Sequence, residues 1–259
     1  MTKLTLLTKS YNPGQIRQIE SILNAAFEGL DVKLEILGSA VNRWVQVELS
    51  GEDEGIAKSY IAKEMGICPT SIENLQDLSE LKGYIMKPAK NQEALTVDFG
   101  IIEPKAAYAT IPLASLQTQL AEGKKVTLQK ILELYGLCEN LPIKIKVTNV
   151  NGGEGCMLAE LSKIQVEKLM SWQGSLLDRL IILRSPLSII EKTLERTRLN
   201  RDIISVESLG LFEHVLTCKL GTDAAGLIPK VGRYFRNAQL VVFNPKKTIQ
   251  FMADKALTV

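Results

Sequence analysis

Leu81-Lys82-Gly83-Tyr84-Ile85-Met86-Lys87-Pro88, then Ala94-Leu95-Thr96-Val97-Asp98-Phe99-Gly100, then Ala106-Ala107-Tyr108-Ala109-Thr110-Ile111-Pro112-Leu113, are three short apolar runs set between turn-forming stretches. Their length, their β-branched and aromatic content, and the turns Pro88-Ala89-Lys90-Asn91 and Glu103-Pro104-Lys105 predict the first strands of a small β-barrel. A helix carrying Leu128, Ile131, Leu132 and Tyr135, ended by Gly136, follows, and then a strand with Ile143, Ile145 and Val147 on one face. This block has an expected boundary on each side. One is the capped turn Cys68-Pro69-Thr70-Ser71, close to residue 76; the other is the glycine-dense Val150-Asn151-Gly152-Gly153-Glu154-Gly155.

On the N-terminal side, Lys3 to Leu7 reads as a strand, and Tyr11-Asn12-Pro13-Gly14 opens a helix with Ile16, Ile19, Ile22, Leu23, Ala26, Phe27 and Leu30 on one face. Two period-two strands follow, Val32/Leu34/Ile36 and Val45/Val47/Leu49. A helix then starts at Ser50 with the acidic turn Glu52-Asp53-Glu54 and stops at Gly66. On the C-terminal side the expected order is a strand Arg179 to Leu183, a helix from Ser185-Pro186, strands Asp202 to Val206 and Leu211 to Leu220, a helix from Thr222-Asp223, and a strand Gln239 to Phe243. This is β-α-β-β-α-β, the ferredoxin-like order. The expected fold class is α+β: a central OB-like β-barrel over 76–150, flanked by two ferredoxin-like α/β units at 1–75 and 151–259.

The strand-turn pattern of 81–113 resembles the opening of the ribosomal-protein S1 domain. The resemblance implies an OB-fold whose aromatic and basic face holds single-stranded RNA. At the matching positions it implies contacts from Lys82, Tyr84, Lys87, Phe99 and Tyr108, and the sequence departs from the pattern at Asn91-Gln92-Glu93-Ala94, where a stacking aromatic is expected. Across its whole length the chain resembles an uncharacterised family of archaeal proteins, on Asp202-Ile203-Ile204-Ser205-Val206-Glu207-Ser208-Leu209-Gly210-Leu211 and Cys218 to Pro229. That resemblance implies an archaeal cytoplasm and the same fold, and brings no mechanism.

Apolar residues make up 46% and charged residues 23% of 259, which excludes the disordered and fibrous classes. No apolar run reaches the ~18 residues of a membrane span and no signal peptide opens the chain, so a cytoplasmic protein without membrane contact is expected. Net charge is only +2, yet seven of the nine arginines lie between Arg179 and Arg236, and residues 178–247 hold twelve Lys and Arg against seven Asp and Glu. Arg196, Arg198 and Arg201, with Lys230, Arg233 and Arg236, are therefore candidate phosphate contacts, because a guanidinium fork donates two parallel hydrogen bonds to an oxyanion. Lys246 and Lys247 extend the basic run. Glu191, Glu195, Asp202 and Glu207 stand nearby as alternative partners.

Nothing predicts a catalytic constellation or a cofactor. Cys68, Cys138, Cys156 and Cys218 lack metal-ligand spacing and read as structural thiols. His214, the single histidine, and Cys218 lie roughly 13 Å apart along a strand, too far to pair. Asp98-Phe99-Gly100 lacks the companion motifs of a kinase. Gly221 to Gly226 lacks phosphate-loop spacing, so Thr222 reads as a helix cap. The expectation is a non-catalytic RNA-binding or ribonucleoprotein-associated protein, acting with the ribosome or transcription machinery. Its rival is a scaffold or regulatory protein working through protein or small-ligand contacts.

Overall fold

The computed structural model describes residues 1–73, 75, 78–89, 92–103, 105–150 and 156–254, and the chain folds as two units. One comprises 1–76 with 99–108; the other comprises 77–98 with 109–259.

The first unit follows the expected β-α-β-β-α order: β1 Thr2–Lys9, α1 Pro13–Ala26, β2 Lys33–Ser39, β3 Trp44–Ser50 and α2 Glu54–Glu64. The Asn12 side chain accepts from the Gln15 amide at 3.0 Å, and Pro13 occupies the first turn, where its missing N–H costs nothing. The strands lie antiparallel in the order β1-β3-β2. Leu4, Leu6, Val47 and Leu49 are buried with Ile19, Leu23, Ala57 and Ile61 of the helices. The cap of α2 is Asp53 rather than Ser50, and its carboxylate instead accepts from the Asp31 amide at 2.9 Å. Past Gly66 the chain returns to the free edge of β1 in a single bridge, Leu6 to Ile67. Residues 99–108 belong to this unit. Gly100 has φ +86° and packs so tightly that a Cβ there would meet the Cys68 Sγ at 2.3 Å.

The second unit opens with the barrel: β4 Glu80–Ile85, β5 Ala94–Asp98, β6 Tyr108–Pro112, helices α3 Leu113–Leu120 and α4 Leu128–Tyr135, β7 Pro142–Asn149 and β8 Cys156–Leu161. It closes in the order β4-β5-β6-β8-β7. The fifth strand, β8, lies beyond the boundary expected near 150 and was not anticipated. Most of that boundary stretch, 151–155, falls outside the described residues, as do Lys90, Asn91 and Pro104 of the two predicted turns.

After α5 Lys163–Gly174 come β9 Arg179–Leu183, α6 Leu187–Thr197, β10 Ile203–Ser208, β11 Glu213–Cys218, α7 Ala224–Val231 and β12 Gln239–Phe243, in the predicted order. The antiparallel sheet runs β10-β11-β9-β12. Every residue of β9 is buried, because both sheet faces are covered. On one face Leu180, Ile182, Leu216 and Cys218 pack with Ile190, Leu194, Leu227 and Val231. On the other, Ile181 and Phe243 approach Gly136, and Trp172 of α5 meets Phe243 at 5.8 Å between ring centres.

Two caps differ from expectation by one residue. Pro186, not Ser185, caps α6, and Asp223, not Thr222, caps α7, accepting from Ala225 and Gly226 amides at 3.0 and 3.2 Å. A last helix, α8 Pro245–Asp254, was also not anticipated. It is tied to α4 by the Thr248 hydroxyl, which donates to the Leu134 carbonyl at 2.8 Å.

Candidate functional site

On the barrel, the residues implied by the S1 resemblance separate by burial. Tyr84 and Phe99 are fully buried and offer no ring face to a base, which removes them as stacking contacts. The Tyr84 hydroxyl donates to Glu213 at 3.3 Å, and Lys82 is partly buried beside it, its ammonium donating to the Leu209 carbonyl at 2.7 Å. Burial holds the Lys82 ammonium below its ordinary pKa, an effect that the Glu213 carboxylate opposes. These groups anchor β4 to the turn between β10 and β11. Lys87, two residues past β4, is exposed. Tyr108 is half-buried, and its hydroxyl accepts from the Asn42 amide at 3.2 Å.

The basic residues of the C-terminal sheet are exposed: Arg196 in the last turn of α6, Arg198 at its cap, Arg201 just beyond, Lys230 in the last turn of α7, and Arg233 and Arg236 after it. The topology divides them. α6 runs from the Leu183 end of the sheet to the end where Ile203 pairs with Cys218, and α7 starts there, its approach held by Lys219 N donating to the Asp202 carbonyl at 2.8 Å. α7 then returns to where Gln239 pairs with Leu183. Arg196, Arg198 and Arg201 therefore mark one end of the helical layer, and Arg233 and Arg236 the other. Eleven residues of α6 separate the ends by about 16 Å.

Their acidic neighbours mostly look elsewhere. Asp202 reaches Arg201 at 3.9 Å, and Glu207 pairs with Lys168. Among the described residues no carboxylate forms an ion pair with Arg196, Arg198, Lys230, Arg233 or Arg236. Arg233 instead stacks on Tyr234, 4.8 Å from the ring centre.

A cleft of about 340 Å³ opens between α4, β12 and α8, lined by Lys130, Glu133, Asn244, Lys247, Gln250 and Phe251. The Lys130 ammonium lies 5.3 Å from the centre of the Phe251 ring and 3.1 Å from Glu133. Because α8 was not expected, Phe251 was missed. Asn244-Pro245 was its signal, an amide cap before a first-turn proline, and Asn244 does accept from the Lys247 amide at 3.0 Å.

The Gly221 to Gly226 loop presents no vacant helix start, since the Asp223 carboxylate fills it. Burial pushes the Cys138 thiol up to about 12 and Cys218 to about 11, so neither is a thiolate at neutral pH. His214 is buried in β11, with Ser208 Oγ 3.0 Å from its Nδ1. No described group of His, Cys, Asp and Glu is arranged to hold a metal, and no described helix is long and apolar enough to cross a membrane.

Models of one family match in succession: the DUF2110 N-terminal domain over 3–71, the DUF2110 central domain over 76–173 and the DUF2110 C-terminal domain over 177–243. The chain belongs to the DUF2110 family. The DUF2110 central domain includes β8 and α5 as well as the other barrel strands. The DUF2110 C-terminal domain carries all six basic candidates, whereas Phe251 follows its matched span. No curated protein matches this DUF2110 chain. A crystal structure from Thermus thermophilus is similar at 12% identity over 98% of this chain and 43% of its own, with a TM-score of 0.16.

Proposed function

We propose that the protein is a non-catalytic RNA-binding protein, working in an archaeal cytoplasm as part of a ribonucleoprotein. The observation that carries this is the set of exposed cations on the helical layer over the C-terminal sheet, Arg196, Arg198, Lys230, Arg233 and Arg236, which no described carboxylate neutralises. Guanidinium groups without acidic partners are available to fork onto phosphate oxygens.

The barrel supports the reading as a platform. Its strand order, first-second-third-fifth-fourth with helices between the third and fourth, agrees with an S1-like OB-fold. The C-terminal sheet agrees with a ferredoxin-like unit, and the first unit with the same plan lacking its last full strand. With Tyr84 and Phe99 inside, the exposed Lys87 is the barrel's remaining share of the interface, and phosphate attraction outweighs base stacking there.

Titrating a labelled single-stranded RNA from about 50 to about 200 mM salt tests this. Six phosphate contacts predict a log–log slope of about −4, at about −0.7 per neutralised phosphate. Exchanging Arg196, Arg198, Arg233 and Arg236 for Gln lowers the slope by about 3. Absence of binding at the lowest salt overturns the proposal. It would favour the scaffold reading, for which the outer strand β10 supplies an edge with Ile204 55% exposed.

A further inference from the structure

The second unit holds eight aromatic side chains, and six of them, Tyr84, Tyr135, Trp172, Phe212, Phe235 and Phe243, are buried. Tyr234 and Phe251 are half-buried. Each has a cation at its ring: the Arg233 guanidinium lies against Tyr234 and donates to its hydroxyl at 2.8 Å, and the Lys130 ammonium lies 5.3 Å from the centre of Phe251. Phe251 lines a cleft, and its volume of about 340 Å³ falls in the ~300–1,000 Å³ range of small-ligand sites.

We propose that the cleft between α4 and α8 receives one unstacked base of single-stranded RNA together with its phosphate. This rests on the RNA-binding reading above and gives it a site for bases. Each wall has a separate role. The Phe251 ring supplies a stacking surface, whose π-face suits any base. Lys247 is exposed without an ion pair among the described residues, and Lys130 stands at the ring with its charge shared with Glu133. Together they place positive charge where the phosphate of a stacked nucleotide would lie.

The amides divide their work. Asn244 is committed, its oxygen capping α8 and its nitrogen 3.4 Å from Asp178. Gln250 is exposed on the same helix, and its side chain offers both a donor and an acceptor to a base edge. The sequence between them, Pro245-Lys246-Lys247-Thr248-Ile249-Gln250-Phe251, spaces Lys247 and Phe251 four residues apart, on one face of α8. The inward Thr248 hydroxyl fixes that face by its bond to the Leu134 carbonyl.

The experiment compares wild type, Phe251→Leu, Phe251→Trp and Lys247→Gln in equilibrium binding of a single-stranded RNA oligomer across salt, with thermal melting as a fold control. Loss of one stacking ring, about 1–3 kcal/mol, weakens the Phe251→Leu complex by about 5- to 150-fold with no change of salt slope. Phe251→Trp restores affinity, and Lys247→Gln lowers the slope by about 0.7. Adenosine monophosphate, added to the full chain, shifts the backbone amide resonances of residues 247–251. If wild type binds RNA with a steep salt slope and Phe251→Leu binds equally well, the base pocket is overturned and the RNA reading stands. If wild type binds no RNA, both fall. Should Phe251→Leu fail to fold, unperturbed amides at 247–251 under adenosine monophosphate overturn the pocket without it.

Discussion

Gly210 and Glu213 set a sharp constraint at the residue scale. A Cβ on Gly210 would stand 2.2 Å from the Glu213 carboxylate and 3.3 Å from the Tyr84 hydroxyl. Gly210→Ala must therefore displace the buried Glu213 carboxyl group, and a loss of about 1–3 kcal/mol in urea unfolding is expected; an unchanged midpoint would contradict the packing. His214 sets a pH dependence. Burial lowers its pKa below the ordinary value of 6.5, so the unfolded chain takes up a proton there before the folded one does. Stability is complete above 6.5 and declines as the pH falls from that value toward the lowered folded-state pKa. His214→Asn removes this limb of the profile, measurable as a flatter melting temperature as the pH falls below 6.5. Residue roles were only partly legible. The spacing of 81–87 announces a strand but not what covers it: the S1 resemblance implies a contact from Tyr84, whereas the turn after β10 lies over β4 and encloses that ring.

At the element scale, α6 ends on Arg198 with φ +56°, a left-handed cap that an L residue adopts at a cost of roughly 1–2 kcal/mol. Arg198→Gly relieves that cost while loosening the unfolded chain, so a net gain of up to about 1 kcal/mol is expected alongside weaker RNA binding. The two effects have opposite signs, and a variant that loses both stability and affinity would mean the arginine packs structurally. The elements with strong local grammar were legible: Asn12-Pro13 for α1, the Gly136 stop for α4, and the alternation of β3. β8 was not, although Met157, Ala159 and Leu161 do alternate inward. It is six residues long, follows a glycine-dense stretch of sequence and precedes a helical run, so its partner β7 decides it more than its own pattern does. α8 follows β12 after a single residue, and its signal is short enough to pass for the tail of the domain.

For the whole molecule, the net charge of +2 conceals a division that only the topology makes visible. The arginines that look like one basic run from 196 to 236 stand at two ends of a helical layer, so a phosphate backbone must cross α6 and α7 to meet both. The division of the chain has a second test. Residues 1–76 without 99–108 lose the close fit of Gly100 against Cys68 and Trp44. A fragment ending at 76 is expected to melt without a cooperative transition by circular dichroism, whereas a cooperative melt like that of the whole chain would show that 99–108 is dispensable. The excursion also bears on the order of events during translation. The N-terminal unit is still incomplete when residue 76 has been made: some thirty more residues must leave the ribosome before 99–108 arrives, about 2–6 s at ~5–20 residues per second. For that interval the nascent N-terminal unit stays open around Cys68 and Trp44, exposed to chaperones and to neighbouring nascent chains on the same message.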